Sequence, residues 1–319
     1  MPTVRLALAA MATRFELVLQ GADPVRLRAA GEEALAEITR LEARLSFYRP
    51  TSEISRINAR AAKEPVRIAP PLFRLLQTAQ RLHAETDGAF DLTVAPLMRC
   101  WGFTGQGGHL PDTLAEARRR TGMHLVTLNE ADFTVSFARE GVMLDLGAIG
   151  KGYAVDEAMA VLAEAGVSCA FLHGGTSTMS AIGTPDDAPA WSVAIPRPDS
   201  DAPVPEEDEV LSVVALENEA LSVSAVWGKA FVVEGKTYGH VLDPRTGWPA
   251  EGAVLAAVAA PSATETDALS TALLVLGSDA GAWMAENRTR LRALVVCHDA
   301  ETGRFEALQE GIALRADGF

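Results

Sequence analysis

Residues 142–156 read VMLDLGAIGKGYAVD, and this stretch contains the change of secondary structure that most constrains the fold. Its apolar first part predicts a strand over Val142–Leu146, and its three glycines predict a tight turn over Gly147–Gly152. The residues that follow predict a helix that ends before Gly166. A strand, a close turn and a helix in direct succession indicate a mixed fold of helices and strands.

The segments on either side predict strands that are joined mainly as hairpins. Strands are predicted at Val4–Leu19, His124–Leu128, Phe133–Phe137, Cys169–His173, Thr178–Ile182 and Trp191–Pro196, with hairpin turns at Glu234–Lys236 and Ala300–Gly303. Helices are predicted at Pro24–Leu45, Pro70–Glu85, Pro111–Arg120, Thr264–Leu276 and Asp279–Asn287. This succession predicts an α+β fold of antiparallel sheets with helices on their faces. Because no linker is visible, we expect residues 1–319 to form a single unit, or two intimate subdomains built from discontinuous segments.

The composition excludes several classes of protein. Of the 319 residues 48% are hydrophobic and 22% are charged, as in globular proteins, and the formal net charge of −14 argues against a surface for nucleic acid or anionic membrane. The three cysteines are far apart and form no CxxC motif. No basic segment followed by a long apolar run opens the chain, and the longest apolar stretch is too short to cross a bilayer. We therefore expect a cytoplasmic protein without a membrane span.

The glycine-rich turn is the first candidate for a binding site. Small residues let a backbone approach a ligand closely, and the free N–H groups at a helix start attract anions. Lys151 adds a positive charge there. The pattern is not a P-loop, because that motif has four residues between its glycines and a Ser or Thr after the Lys. The alternative is a tight connection from strand to helix without a ligand.

Asp267 and Thr271 form a second candidate site. They are four residues apart in a predicted helix, so both side chains lie on one face. A carboxylate and a hydroxyl suit Mg²⁺ that is shared with substrate phosphates, because Mg²⁺ keeps few protein ligands. The alternative is that Thr264 and Asp267 form a helix cap, and the two roles are compatible.

Residues 240–247 read HVLDPRTG and form a third candidate, in which His240 precedes a turn. Histidine is the usual proton-transfer group near neutral pH, although a single histidine is often structural. Two further segments, Ser52–Asn58 and Phe90–Leu97, allow a simple interpretation in which Ser52, Asp91 and Thr93 cap short helices. Motifs of serine or cysteine hydrolases are absent from the sequence.

Taken in order, these segments resemble the ApbE family, the FAD:protein FMN transferases. The resemblance extends from Met11 to about Gly277, and it is carried by residues 11–15 (MATRF), 52–58 (SEISRIN), 88–97 (GAFDLTVAPL), 101–103 (WGF), 145–156 (DLGAIGKGYAVD), 240–247 (HVLDPRTG) and 267–272 (DALSTA). Each segment alone is weak, whereas five or six in the family's order are hard to obtain by chance.

The resemblance implies a T-fold-like core of antiparallel sheets flanked by helices, with a cleft between subdomains that holds FAD. It implies a Mg²⁺-dependent reaction that cleaves the FAD pyrophosphate, attaches FMN to a Thr or Ser hydroxyl of an acceptor flavoprotein and releases AMP. The implied metal ligands are the side chains of Asp267 and Thr271 and the main-chain oxygen of Ala148. The implied catalytic residues are His240, which would orient or deprotonate the acceptor hydroxyl, and Asp243. The implied FAD contacts are Met11, Tyr48, Ser52, Asp91, Thr93, Gly147, Lys151, Gly175, Ser224 and His240.

Two segments depart from the family pattern. The family usually has Gly-Gly-Asp where this chain has Gly174-Gly175-Thr176, and Thr-Ser-Gly where this chain has Val223-Ser224-Ala225. The first change removes a polar contact and the second adds a methyl group near the expected flavin pocket. Two alternatives to transfer therefore stay open: a protein that binds FAD without transferring it, and a Mg²⁺-dependent FAD pyrophosphatase that releases FMN and AMP.

Overall fold

The structure is a computed structural model that describes residues 1–105, 108–198, 209–227, 230–233, 236–287, 289–299 and 302–315. Within these residues the helices are α1 Pro24–Leu45, α2 Glu53–Arg60, α3 Pro70–Glu85, α4 Ala95–Cys100, α5 Leu114–Arg119, α6 Gly150–Glu164, α7 Ala263–Leu276 and α8 Ala280–Asn287. The strands are β1 Thr3–Ala10, β2 Thr13–Gln20, β3 Val66–Arg67, β4 Val126–Asn129, β5 Thr134–Phe137, β6 Ala170–Gly174, β7 Thr178–Ile182, β8 Trp191–Pro196, β9 Val210–Leu216, β10 Ala220–Ala225, β11 Ala230–Val233, β12 Lys236–Gly239, β13 Ala253–Ala260, β14 Arg292–Asp299 and β15 Arg304–Glu310.

Eight of these strands form one sheet in the order β1-β2-β6-β7-β10-β13-β14-β15. Every neighbouring pair in it is antiparallel. Three small sheets accompany it, with the orders β3-β5-β4, β8-β9 and β11-β12. The predicted α+β fold with antiparallel sheets is therefore confirmed.

Helices α1, α6 and α7 cover one face of the large sheet, and β8 and β9 lie over the other. The alternation along β13 shows why two cores form. Ala256, Val258 and Ala260 pack in the helical core, whereas Leu255, Ala257 and Ala259 pack against the cluster that includes Ile195 of β8 and Leu211 of β9. Successive side chains of a strand point to opposite faces, so an apolar strand such as β13 is buried on both sides.

Most predicted elements are confirmed to within one or two residues. Helix α1 begins where Asp23 predicts, since the Asp23 carboxylate accepts hydrogen bonds from the N–H groups of Val25 and Arg26 at 3.0 and 3.1 Å. The predicted helix over Pro111–Arg120 is shorter, because α5 begins only at Leu114. The predicted hairpins at 234–236 and 300–303 are supported by the pairing of β11 with β12 and of β14 with β15, although residues 234, 235, 300 and 301 lie outside the described part.

The predicted strand over Val142–Leu146 is wrong. This segment has no regular secondary structure, and its backbone groups have other partners. The Asn58 side chain bonds both the N–H (2.7 Å) and the carbonyl (2.9 Å) of Leu144, and the N–H of Asp145 donates to the carbonyl of Leu92 at 2.7 Å. A side-chain amide can replace a strand partner in this way, and the segment's apolar residues are still buried in the core.

The stretch Ala263–Asn287 is apolar and long enough to be compared with a membrane span, and 56% of its most apolar window is buried inside the fold. It consists of α7 and α8, which are joined by a 3₁₀ turn at Gly277–Asp279. Helix α7 packs on β10 and β13, and eleven of its residues are buried, so it is a helix of the central core. The buried Asp267 within it is consistent with that position, because a charge is costly in lipid.

Candidate functional site

The strand register brings several of the predicted site residues to one end of the large sheet. The turn that joins β1 to β2 contains Met11, and the turn after β6 contains Gly175, whose N–H donates to the carbonyl of Arg14 at 2.9 Å. In β10, Ser222 pairs with Thr178, so Ser224 lies beyond the start of β7 at the same end. Gly175 has a φ of 65°, and a Cβ there would lie 2.4 Å from the Thr13 hydroxyl oxygen, so this turn requires glycine.

Asp267 lies at this end of the sheet and is buried, with 4% of its surface exposed. One carboxylate oxygen, Oδ2, accepts a hydrogen bond from the N–H of Gly152 at 3.0 Å. The other, Oδ1, accepts from the Thr178 hydroxyl at 3.2 Å and lies 3.6 Å from Nζ of Lys151. The glycine turn and the helix that carries Asp267 and Thr271, two separate predictions, are therefore in direct contact.

Asp267 does not cap its own helix, so that interpretation is wrong. The cap of α7 is Ser262, whose hydroxyl accepts from the N–H of Glu265. Asp267 instead accepts the N–H of the third residue of α6, Gly152, one of the free donors at that helix start. Its negative charge also lies at the positive end of the α6 dipole.

Asp156 makes the reciprocal contact from α6 to the start of α7. Its Oδ1 accepts from the N–H of Ala263 at 2.8 Å. Its Oδ2 accepts from the Ser262 hydroxyl (2.8 Å) and from the N–H (2.9 Å) and hydroxyl (2.6 Å) of Thr264. Gly152 lies between the helices, because a Cβ there would lie 2.1 Å from the carbonyl oxygen of Ala263. Each helix start is thus held by a carboxylate of the other helix.

A chain of buried hydroxyl groups extends from Asp267 into the core. Thr178 donates to Asp267 and accepts from Ser222 at 3.4 Å, and the Ser222 hydroxyl lies 2.8 Å from that of Thr266. All three hydroxyl residues are fully buried. A buried polar group is costly without a partner, so this network fixes the rotamer of the Asp267 carboxylate.

Thr271 lies one helical turn after Asp267. Its hydroxyl donates to the main-chain carbonyl of Asp267 at 3.3 Å and lies 3.3 Å from the Ser224 hydroxyl. The Ser224 hydroxyl also contacts that of Ser270 at 2.8 Å. Because the Thr271 proton goes to a helix carbonyl, a lone pair on its oxygen can face a cation. The predicted contact residue Ser224 therefore lies directly beside a predicted metal ligand.

His240 follows β12 immediately, at the entrance to the turn formed by residues 241–250. A Cβ built on Gly239 would lie 3.7 Å from the carbonyl oxygen of Val226, which directly follows β10. Gly239, the residue before His240, therefore lies near the strand end that carries Ser224, whose hydroxyl lies 3.3 Å from that of Thr271. The structure therefore brings His240 to the same end of the fold as the predicted metal ligands.

Asp243 shapes the turn after His240. Its carboxylate accepts from the N–H and Nε of Arg245 at 2.9 Å each and from Nη2 at 3.0 Å. Trp101 donates from Nε1 to the carbonyl of Gly247 at 2.8 Å, which attaches the turn to α4. Asp243 is 9% exposed, and the hydrogen bonds that its carboxylate accepts from Arg245 stabilise the turn. Its catalytic role stays a prediction.

A partly buried carboxylate, that of Asp145, lies just before the glycine turn, and the charge of Asp145 acts on the exposed ring of Tyr48, which follows α1. Burial raises the pKa of Asp145, and the N–H of Gly147, which donates to it at 2.9 Å, opposes that shift. Burial also raises the pKa of Tyr48, and the Asp145 charge adds to it. The Tyr48 side chain is nevertheless exposed over 70% of its surface. An exposed aromatic ring near a turn whose N–H groups attract anions is suited to stack on a planar ligand.

Ser52 is a buried helix cap, as the simple interpretation predicts. Its hydroxyl accepts from the N–H of Ser55 at 3.0 Å and donates to the carbonyl of Ser46 at 2.6 Å. With 1% of its surface exposed, it contacts protein on all sides, and its predicted contact with FAD is untested.

Asp91 and Thr93 do not cap α4, so that interpretation is wrong. Asp91 accepts from the N–H (2.6 Å) and hydroxyl (2.5 Å) of Thr93 and from the N–H of Met123 at 3.2 Å, and the Thr93 hydroxyl accepts from Gly122 at 2.5 Å. Both residues are buried, and burial raises the pKa of Asp91 although His83 lies 3.3 Å away. They connect the loop before α4 to the segment before β4, and their predicted FAD contacts are untested.

The donors that could hold a metal are few. Among the described residues, no group of three His, Cys, Asp or Glu side chains converges on one point. Asp267 and Thr271 offer hard oxygen donors on one helix face, and Ala148 lies in the turn that α6 follows. This donor set fits Mg²⁺ shared with a phosphate ligand better than it fits a metal enclosed by protein alone.

The fold and this site match one class of proteins. The model of the ApbE family matches residues 11–295. The "FAD:protein FMN transferase" of Haemophilus influenzae is 31% identical over 276 residues, which cover 84% of this chain and 78% of the relative. That of Escherichia coli K12 is 29% identical, with 84% and 77% covered.

Solved structures give the same result. The ApbE protein of Thermotoga maritima matches with a TM-score of 0.84 and 30% identity over 96% of both chains. The flavinyl transferase ApbE of Pseudomonas stutzeri matches with a TM-score of 0.83 and 28% identity, over 97% of this chain and 94% of that one. The chain belongs to the ApbE family, and it is a transferase.

Several residues that build the site escaped the sequence-based prediction. Asp156, which lies in residues 145–156, and the buried hydroxyls of Thr178, Ser222 and Thr266 are not among the predicted site residues. The available signal was the spacing, since Asp156 follows Gly152 by four residues as Asp267 follows Ala263. This equal spacing predicts that each carboxylate contacts the start of the other helix only if the two helices are already known to be in contact.

Proposed function

We propose that this chain is a Mg²⁺-dependent FAD:protein FMN transferase, which attaches FMN to a Thr or Ser hydroxyl of an acceptor protein and releases AMP. One observation carries the proposal: the buried Asp267 carboxylate contacts the start of α6 through the N–H of Gly152 and the ammonium group of Lys151, and it lies one turn before Thr271. Such a site combines donors for a hard cation with N–H groups and a lysine for phosphate oxygens. The names of the relatives supply the substrate, FAD, and the existence of a protein acceptor.

Asp267 and Lys151 would bind a pyrophosphate in different ways, Asp267 through a metal ion and Lys151 directly. When bound, Mg²⁺ would neutralise charge on the pyrophosphate. Asp267 and Thr271 would hold it, together with the main-chain oxygen of Ala148. Lys151, the second residue of α6, would contact phosphate oxygens from the helix start.

His240 is the group that we place beside the acceptor hydroxyl. The hydroxyl oxygen would attack the FMN-side phosphorus as the bond to the AMP oxygen breaks, and His240 would orient the hydroxyl or take its proton. Its position at the entrance of the 241–250 turn, next to the end of β10, supports this role. Asp243 would act indirectly, by keeping the turn in shape through Arg245.

The exposed ring of Tyr48 and the turns at Met11 and Gly175 suit the flavin end of FAD. Tyr48 offers an aromatic face, and the two turns belong to the same end of the sheet. Ala225 pairs with Leu255 as a regular β residue, so the alanine at this departure from the family pattern causes no break in the strand. We infer that its methyl group changes the shape of the pocket and leaves the phosphate end intact.

A single incubation separates transfer from the two alternatives. The full chain is mixed with FAD, Mg²⁺ and a candidate acceptor flavoprotein, and AMP, free FMN and flavin-labelled protein are then measured. AMP with labelled acceptor, in equal amounts, is the expected result. AMP with free FMN would instead show a pyrophosphatase, and FAD binding without AMP would show a flavin-binding protein. The expected cytoplasmic location stays a proposal that the position of a tagged chain in cell fractions would test.

A further inference from the structure

We propose that Lys151 competes with the divalent cation for Asp267, so that it neutralises the carboxylate until metal and pyrophosphate bind, and then pairs with the pyrophosphate. This inference rests on the proposed function for the metal ligand and the pyrophosphate substrate. It goes beyond that function because it assigns Lys151 two successive partners. It also predicts that loss of the lysine charge changes the affinity for the metal and the affinity for FAD in opposite directions.

The contacts of the carboxylate leave one place for a cation. Oδ2 of Asp267 is taken by the N–H of Gly152, which belongs to the fixed helix start. Oδ1 accepts from the Thr178 hydroxyl and has Nζ of Lys151 at 3.6 Å. The side chains of Asp267 and Lys151 are 5% and 25% exposed, so little water screens this pair. We infer that a metal would approach Oδ1, and the ammonium group of Lys151 lies beside this same oxygen.

A divalent cation and an ammonium group cannot share this oxygen at low cost. Two cations a few ångströms apart repel each other, and the repulsion is large where solvent screening is poor. The Asp267 carboxylate is held rigidly by Gly152 and Thr178, whereas Lys151 has a flexible four-carbon stem, so the lysine is the group that moves.

Phosphate oxygens are the natural second partner of the displaced ammonium group. Lys151 is the second residue of α6, so its stem begins among the free N–H groups of a helix start, where anions bind. A pyrophosphate bound there would place new negative charge within reach of the side chain. The exchange of partners would then link metal binding to substrate binding. The metal breaks the Lys151–Asp267 ion pair, and the new contact between Lys151 and the FAD pyrophosphate would offset the free energy lost in that step.

The test compares Lys151→Met with a charge-matched control. Lys63→Met changes the net charge equally at an exposed lysine after α2, for which the structure shows no contact with the site. Lys151→Arg keeps the charge, and Lys151→Gln is a second neutral variant in case the methionine variant folds poorly. Mn²⁺ serves as the probe for the Mg²⁺ site, since both prefer oxygen ligands, and free Mn²⁺ is followed by electron paramagnetic resonance without FAD.

The two neutral variants should bind Mn²⁺ roughly tenfold more tightly than the wild-type chain, as expected for loss of a poorly screened ion pair. At saturating Mn²⁺ they should bind FAD roughly tenfold more weakly, because a charged contact to phosphate is lost. Lys151→Arg and Lys63→Met should stay within about twofold of wild type in both measurements.

Unchanged or weaker Mn²⁺ binding by both neutral variants, with normal binding by the wild type, would overturn the competition and leave the proposed function standing. Tighter Mn²⁺ binding with unchanged FAD affinity would overturn the second partner. Failure of the wild type and all variants to bind Mn²⁺, with or without FAD, would overturn both the inference and the metal site of the proposed function.

Discussion

Replacing Asp156 by alanine removes the carboxylate that holds the start of α7. Two backbone N–H groups, those of Ala263 and Thr264, lose their acceptor, and two hydroxyls lose theirs. Loss of a helix cap costs about 0.5–2 kcal/mol, and a charged acceptor lies at the upper end. Because the hydroxyls can rotate toward other partners, we expect a loss of about 2–4 kcal/mol in the free energy of unfolding.

For a chain of this length, 1 kcal/mol shifts Tm by about 2 °C, so differential scanning calorimetry should show a fall of about 4–8 °C. Asp156→Asn should lose about half as much, because an amide oxygen at the Oδ2 position keeps three of the four contacts. Glu164→Ala, an exposed acidic residue at the end of the same helix, is the matched control and should leave Tm within about 1 °C. A Tm shift of Asp156→Ala no larger than that of the control would refute the reciprocal capping.

Three further predictions concern the same helix pair and the groups around it. Gly152→Ala should lower Tm by several degrees and weaken metal binding, since its Cβ would lie 2.1 Å from the Ala263 carbonyl oxygen; normal stability would show that the helices separate easily. Asp145→Asn should lower the pKa of Tyr48 toward its ordinary value, seen by absorbance titration against Tyr48→Phe. Because burial raises the pKa of Asp145, its contribution to stability is lost as pH rises through that pKa, and the variant should lack this slope. His240→Ala should slow FMN transfer by about 10²–10⁴, and a normal rate would exclude the proposed proton transfer.

The secondary structure was readable where local signals agree. Asp23 and Pro24 start α1, and the alternation of apolar residues marks the strands. The prediction for Val142–Leu146 is wrong because a strand needs a backbone partner, and the partner of Leu144 is the side chain of Asn58, 86 residues earlier in the sequence. Apolar composition predicts burial of such a segment but not the identity of its hydrogen-bond partners.

The sequence predicted individual residues of the site, but it did not predict which of them contact each other. Asp267 and Thr271 share a helix face by spacing alone, which the sequence shows. That Asp267 caps α6 rather than its own helix depends on the approach of two helices that are more than 100 residues apart. The same holds for Asp156, because the hydrogen bonds that its carboxylate accepts come from residues 262–264. Long-range carboxylate caps leave little trace in one sequence, because acidic residues inside helices are common.

The most direct test of the account is the metal dependence of FMN transfer in Asp267→Asn. The variant keeps an acceptor for the Gly152 N–H, so the fold should persist, while the negative charge that attracts a divalent cation is lost. With FAD and acceptor in excess, we predict that AMP release and flavin labelling of the acceptor both fall at least about 10²-fold at Mg²⁺ concentrations that saturate the wild type. A variant that transfers FMN at the wild-type rate with an unchanged Mg²⁺ requirement would contradict the assignment of Asp267 and, with it, the proposed site.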